Sequence, residues 1–303
     1  MSEQASIQNT FCYVHADRVA GVRCQRCERH ICPACMHAAS VGFHCPECTR
    51  SGAKAQTLVS ASLRGVTVPI ATYVLIGINV AMYIITSVAD IVKPSLNLSD
   101  HLSLVVFAQY PTGEFLGVAE GEWWRVVTHG FMHAGLVHLA FNMFALYNVG
   151  GTLERMIGRG RFLATYFVSM GGGTLLALLT TGTNRPTVGA SGAIFGLFGA
   201  FLLVQLSRGL GFSGGITQTI LVNLVITFVF REFISVGGHV GGLAAGAAAG
   251  VLLIGRSPKE ARSRRLQEQR NVAIVAAVAL ALFVAALVIS PYLAVNGPPL
   301  DFL

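Results

Sequence analysis

Charge is what this sequence has least of. Only 12% of its 303 residues are Asp, Glu, Lys or Arg, against ~25% in ordinary soluble domains. Hydrophobic residues make up 53% and mean hydropathy is +0.62. A soluble globular chain is excluded, and a membrane protein is expected. Proline is scarce, at 10 residues, and the 34 glycines follow no Gly-X-Y period, which removes collagen and disordered-linker readings. The glycines fall in apolar stretches such as GGHVGGLAAGAAAG, where they suit close helix packing. No basic strip interleaved with aromatics accompanies the net charge of +7, so nucleic acid is not an expected partner. Cysteine is absent after residue 48. No basic-then-apolar leader precedes the first long apolar run near Val66, so a cleaved signal peptide is not expected.

What is present is a series of apolar segments of about the ~20 residues that cross a bilayer as helix. Seven are read, at 68–89, 134–153, 162–181, 189–206, 215–234, 236–255 and 272–292. The shorter run LSLVVFA, 102–108, is broken by Pro111 and Gly113 and is expected within a long loop that dips into the interface. The fold class is therefore an all-α polytopic bundle behind a small Cys/His head. Four parts are expected: a head at 1–50, a linker at 51–65, a six-helix core at 66–255, and a basic loop, seventh helix and short tail at 256–303. Lys and Arg test the topology, because cytosolic loops are enriched in them. With the head inside, 17 of the 21 fall on the inner side, leaving Lys93, Arg125, Arg185 and Arg231 outside. The amino terminus is expected in the cytosol, in a multi-pass protein of the plasma membrane.

Polar groups inside a span are costly, so each calls for a functional reading. His138 and Asn142 lie in the second span, Ser191 opens the fourth and His239 opens the sixth. All three spans run outside to inside, so the four residues share one depth in the outer half of the bilayer. His138 and Asn142 are four apart and share a helical face. Small-residue stripes, Gly192, Gly196 and Ala200 against Gly238, Gly242, Gly246 and Gly250, would let the fourth and sixth helices approach closely. A serine nucleophile needs a base within hydrogen-bond reach and donors facing the oxyanion. Ser191 and His239 meet the first need; Asn142, His138 and the Ser191 backbone N–H could meet the second. Taken singly, each has a plainer reading, as a packing serine, interhelical glue or a satisfied core histidine, and GASGAIFG lacks the GxSxG spacing of soluble nucleophile elbows.

Taken together, the motifs WWR (with Trp124 and Arg125), HLAFN, GASGAIFG and GGHVGGLAAG resemble the rhomboid family of intramembrane serine proteases over Val66–Gly255. The resemblance implies a Ser191–His239 dyad, oxyanion help from His138 and Asn142, and a loop-stabilising role for Trp124 and Arg125. No Asp or Glu lies in the interior of the expected spans to complete a triad, Glu232 falling at the end of the fifth. It also implies substrates that are transmembrane segments of other proteins, met in the lipid bilayer. The rival function is a catalytically silent adaptor whose head recruits partners; a transporter is weaker, because the polar cluster lies near one face rather than the midplane.

All seven cysteines lie in the head. Cys12 and His15, Cys24 and Cys27, Cys32 and Cys35, and Cys45 and Cys48 form four pairs, each spaced to present two ligands to one tetrahedral ion. Eight ligands make two closed structural zinc sites, with no metal in catalysis. The spacing resembles B-box zinc fingers, which implies that the first and third pairs share one ion and the second and fourth the other. His37 and His44 stand as alternative ligands in the last pair. A ubiquitin-ligase RING is disfavoured by the early histidine and even spacing. The head is expected to bind a cytosolic protein partner.

Overall fold

The computed structural model describes residues 10–39, 42–50, 68–109, 113–181, 184–207, 212, 215–254 and 261–297. The expected linker 51–65, Pro111, Arg256 and Lys259 lie outside the described residues. The chain divides into two units, Met1–Gly65 and Val66–Leu303.

The head is built from two short antiparallel hairpins, β1 (Val22–Arg23) on β2 (His30–Ile31) and β3 (His37–Ala38) on β4 (Phe43–His44). Its centre consists of Cys12, Cys24, Cys32, Cys35 and Cys45 with Ala20 and a single large aliphatic, Ile31, among the buried residues described. A core this small is below what hydrophobic burial alone stabilises.

The membrane unit is helical. Among the described residues, five helices are long and apolar enough to cross a membrane: α1 (Ile70–Val92), α4 (Leu136–Ile157), α5 (Arg159–Thr180), α8 (Val236–Ile254) and α9 (Ala261–Asn296). Two shorter apolar helices, α6 (Ser191–Ser207) and α7 (Gly215–Val229), complete the set. Each of the seven expected segments thus carries a helix. Helix α6 is short because residues before it are held extended: Thr187 exchanges both backbone hydrogen bonds with Leu104, at 2.8 and 3.0 Å, and Gly189 N–H donates to His129 C=O at 2.9 Å. The α4 helix is not uniform. Residues Leu146–Gly150 form a π-turn between α-helical Leu136–Ala145 and Gly151–Ile157. The basic stretch expected as a loop before the seventh span is helical from Ala261 and continuous with it, with Pro291 inside the same helix.

The run 102–108 lies within the long loop, as expected, with Leu104, Val105 and Val106 buried against the protein and β5 (Ala108–Gln109) paired with β6 (Phe115–Leu116) in a hairpin. One expectation is corrected here. The second span extends past residue 153 and so contains an acidic residue, Glu154, fully buried. Its carboxylate accepts Ala71 N–H at 3.1 Å, Thr72 N–H at 2.8 Å and the Thr72 hydroxyl at 2.8 Å. These are the open amides at the start of α1, so Glu154 serves as a cap supplied from another helix.

Glycine decides the centre of the bundle. A Cβ on Gly242 would come within 1.9 Å of the Gly192 carbonyl oxygen, and one on Gly246 within 2.1 Å of the Gly196 carbonyl oxygen. One on Gly173 would sit 2.7 Å from the Gly238 carbonyl oxygen. Helices α5, α6 and α8 therefore meet backbone to backbone, the arrangement small-residue stripes permit in lipid.

The loop between α1 and α4 includes α2 (Leu98–Leu102) and α3 (Arg125–Thr128). Arg125 is completely buried. Its Nε donates to Glu122 at 2.8 Å, and Nη1 donates to the carbonyls of Ser103, at 2.7 Å, and Asp100. Trp124 Nε1–H donates to His101 C=O at 3.0 Å. Both residues hold the loop together.

Candidate active site and metal centres

Ser191 is the first residue of α6 and His239 lies in the first turn of α8, so the close α6–α8 crossing brings two helix starts together. His239 Nε2 lies 2.8 Å from Ser191 Oγ. The imidazole stacks on Phe195, with ring centroids 4.0 Å apart and planes 18° from parallel. Phe195 is four residues beyond Ser191 and so projects from the same helical face. On its other nitrogen, His239 Nδ1 is 2.7 Å from Thr227 Oγ1 on α7. Neither Phe195 nor Thr227 stood out in the sequence.

His138 and Asn142 lie on one face of α4. Ala134 N–H points at His138 Nδ1 across 3.4 Å, which makes that nitrogen the acceptor and leaves the proton on Nε2. A Cβ on Gly189 would sit 2.9 Å from His138 Nε2 and 3.4 Å from Ser191 Oγ. The missing side chain, on a residue with φ of +128°, leaves a gap between the imidazole donor and the hydroxyl. Asn142 is buried, and its amide donates one N–H to His138 C=O at 2.9 Å, with a second N–H still to place. The amide of Ser191, in the first turn of α6, is a donor that the helix itself does not use, at the positive end of α6. His133 supports His138 from its far side, the rings meeting edge-on at 5.1 Å.

These groups line a cavity of about 310 Å³, bounded by His138, Asn142, Ser191, Thr227 and His239 among others, with no Asp or Glu on its wall among the described residues. All four site residues expected from the sequence are therefore together. The arrangement contains a hydroxyl, an imidazole in hydrogen-bond contact with it, and several donors around a gap of atomic size, the set of groups that could serve acyl transfer. Glu154 does not enter the site.

In the head, ligand atoms of Cys12, His15, Cys32 and Cys35 lie within 4.8 Å of one another, as do those of Cys24, Cys27, Cys45 and Cys48. First pairs with third, and second with fourth. His15 presents Nδ1, 3.3 Å from Cys35 Sγ and 3.5 Å from Cys32 Sγ. His37 and His44 face each other across the β3–β4 ladder and belong to neither group. Backbone amides already point at sulfur, Cys45 N–H to Cys24 Sγ at 3.2 Å and Cys48 N–H to Cys45 Sγ at 3.4 Å. Burial pushes the Cys12 thiol up, but amides of Cys32, Val14 and His15 outweigh it and bring it down to about 6. The Cys12 thiolate, the form a metal ion binds, is thereby favoured, whereas burial and the neighbouring thiols push Cys35 up to about 11 and Cys48 up to about 12. Both clusters could hold a metal.

Residues 120–256 match the Rhomboid domain family. The chain is 41% identical over 141 residues to "Rhomboid protease GluP" of Bacillus subtilis, which covers 44% of this chain and 27% of that protein. It is 45% identical over 106 residues to "Putative rhomboid protease YdcA" of the same species, 35% of this chain and 53% of that protein. "Rhomboid-like protease 3" of Toxoplasma gondii is 30% identical over 183 residues, 57% of this chain and 66% of that protein. The chain thus spans between about a quarter and two thirds of the length of these relatives. These findings support the rhomboid family for an integral, multi-pass membrane unit. The head lies outside the residues that match the family model.

Proposed function

We propose that this protein is an intramembrane serine endopeptidase that cuts transmembrane segments of other membrane proteins through a Ser191–His239 dyad. The observation that carries the reading is the 2.8 Å contact between His239 Nε2 and Ser191 Oγ, facing donors across the gap over Gly189. Ser191 Oγ attacks the scissile carbonyl carbon as its proton passes to His239 Nε2. The carbonyl oxygen, now an anion, enters the gap and takes hydrogen bonds from His138 Nε2–H, the free Asn142 N–H and the Ser191 amide. Collapse breaks the C–N bond, and His239 returns its proton to the leaving amine. Water in the cavity then repeats the sequence on the acyl-enzyme, with His239 as its base. An intact substrate helix hides its carbonyls in i to i−4 bonds, so cleavage requires a locally unwound segment.

The same reading assigns the head two structural zinc ions, held by Cys12, His15, Cys32 and Cys35 and by Cys24, Cys27, Cys45 and Cys48. Four protein ligands per ion leave no open position for chemistry. The head would then be a cytosolic module for a protein partner, and the dyad would face the outer half of the plasma membrane, as the Lys and Arg bias favours. The test is labelling of purified protein with a fluorophosphonate together with cleavage of a transmembrane model substrate. Ser191→Ala and His239→Ala should each abolish both. Undiminished cleavage by Ser191→Ala would overturn the mechanism.

A further inference from the structure

We infer that Thr227 is the positioning residue that fixes the tautomer of His239, doing with a neutral hydroxyl what a carboxylate does in a triad. The inference rests on the dyad proposed above. The Thr227 hydroxyl has one proton and two contacts: the Asn223 carbonyl at 2.7 Å and His239 Nδ1 at 2.7 Å. A carbonyl oxygen can only accept, so the hydroxyl proton goes to Asn223. Only lone pairs then face His239, and both contacts are satisfied together only when Nδ1 carries the ring proton. Nε2 is left with its lone pair 2.8 Å from Ser191 Oγ, the state a general base needs. The other tautomer would put a proton between Nε2 and the serine and disarm it.

Burial sharpens the assignment. Helix α7 buries just Ile216, Ile220 and Thr227 among its residues. The first two are apolar anchors, and Thr227, 1% exposed, is the polar member of the three. Thr219 and Asn223, two turns and one turn earlier, satisfy themselves on carbonyls four residues back and make no hydrogen bond to a catalytic group. When His239 accepts the serine proton, Nδ1–H already donates to Thr227 Oγ1, so the imidazolium keeps an aligned dipole with no carboxylate present.

The test compares Thr227→Val, which keeps the shape and removes the hydroxyl, with Thr227→Ser, which keeps the hydroxyl. Full-length protein is used, with kcat and KM measured separately on one transmembrane substrate and the fluorophosphonate labelling rate measured in parallel. Leaving the ring N–H without a buried partner should lower kcat and the labelling rate by about 10- to 100-fold with KM nearly unchanged. Thr227→Ser should recover most of the loss. Wild-type kcat in Thr227→Val overturns the inference, as does a loss that serine fails to restore. Neither result touches the dyad, which stands or falls with Ser191→Ala.

Discussion

Gly242→Ala adds one methyl group at the point where α6 and α8 cross, and the structure says how far the helices must part. The new Cβ would lie 1.9 Å from the Gly192 carbonyl oxygen and 3.2 Å from its Cα, where ordinary contact begins near 3.4 Å. The obstruction is backbone on both sides, so neither side chain can rotate out of the way, and the helices must separate by about 1.5 Å at this level. His239 is one turn away on the same helix and moves with Gly242. Adding most of that displacement to the 2.8 Å contact with Ser191 takes Nε2 to about 4 Å from Oγ, beyond hydrogen-bond reach. A misplacement of ~1 Å can cost ~10²-fold in rate, whereas overpacking costs only ~1–3 kcal/mol in stability. Gly242→Ala should therefore fold, with a modestly lower Tm, and lose at least about 100-fold in kcat and in fluorophosphonate labelling. Two controls bracket it. A Cβ on Gly250 would meet Leu203 at 3.1 Å and Ala200 at 3.3 Å, some 16 Å along the helix from His239, so Gly250→Ala should keep most activity. Gly160→Ala meets nothing within 4 Å and should match wild type. Wild-type cleavage by Gly242→Ala would show that the crossing does not set the dyad distance, and the argument from glycine packing would be wrong.

Asn142→Ala removes one oxyanion donor while His138 and the Ser191 amide remain, so kcat should fall by ~10² to 10³ with Ser191 still open to labelling; an unchanged kcat would remove Asn142 from the oxyanion site. Cys24→Ser removes one thiolate from the second cluster, and elemental analysis should show bound zinc falling below two ions per chain as that part of the head unfolds. Because no cysteine lies in the membrane unit, the same sample should still cleave a detergent-solubilised substrate; loss of cleavage in a monodisperse preparation would show that the head is coupled to the active site.

Legibility differed from residue to residue for physical reasons. His138, Asn142 and His239 could be read because ionisable and amide groups are expensive in an apolar helix, whereas Ser191, a hydroxyl like Thr227, was legible only through the GASGAIFG motif in company with the other three. Thr227 could not be read. A threonine that bonds its own i−4 carbonyl costs little in a membrane helix, and Thr227 makes that bond just as Thr219 does. Only its second contact, to a histidine twelve residues on, separates the two. Phe195 was hidden in the same way, as one aromatic among many apolar residues. Glu154 was misplaced because hydropathy ends the second span near residue 153, while the helix runs on to Ile157 under the protection of the α1 amides.

Composition, period and ligand spacing act locally along the chain, and they were enough to determine a helical membrane bundle, seven apolar segments, a Cys/His head with four ligand pairs, and two glycine-striped helices. They do not act across the chain. That Ser191 and His239, 48 residues apart, stand 2.8 Å from each other follows from backbones pressed together where no Cβ intervenes. That His239 Nδ1 stands 2.7 Å from a buried hydroxyl follows from a third helix, which delivers Thr227. The tertiary structure decided these matters because hydrogen bonds are directional and short, so a change of about 1 Å in helix spacing, which no sequence pattern records, is the difference between contact and none.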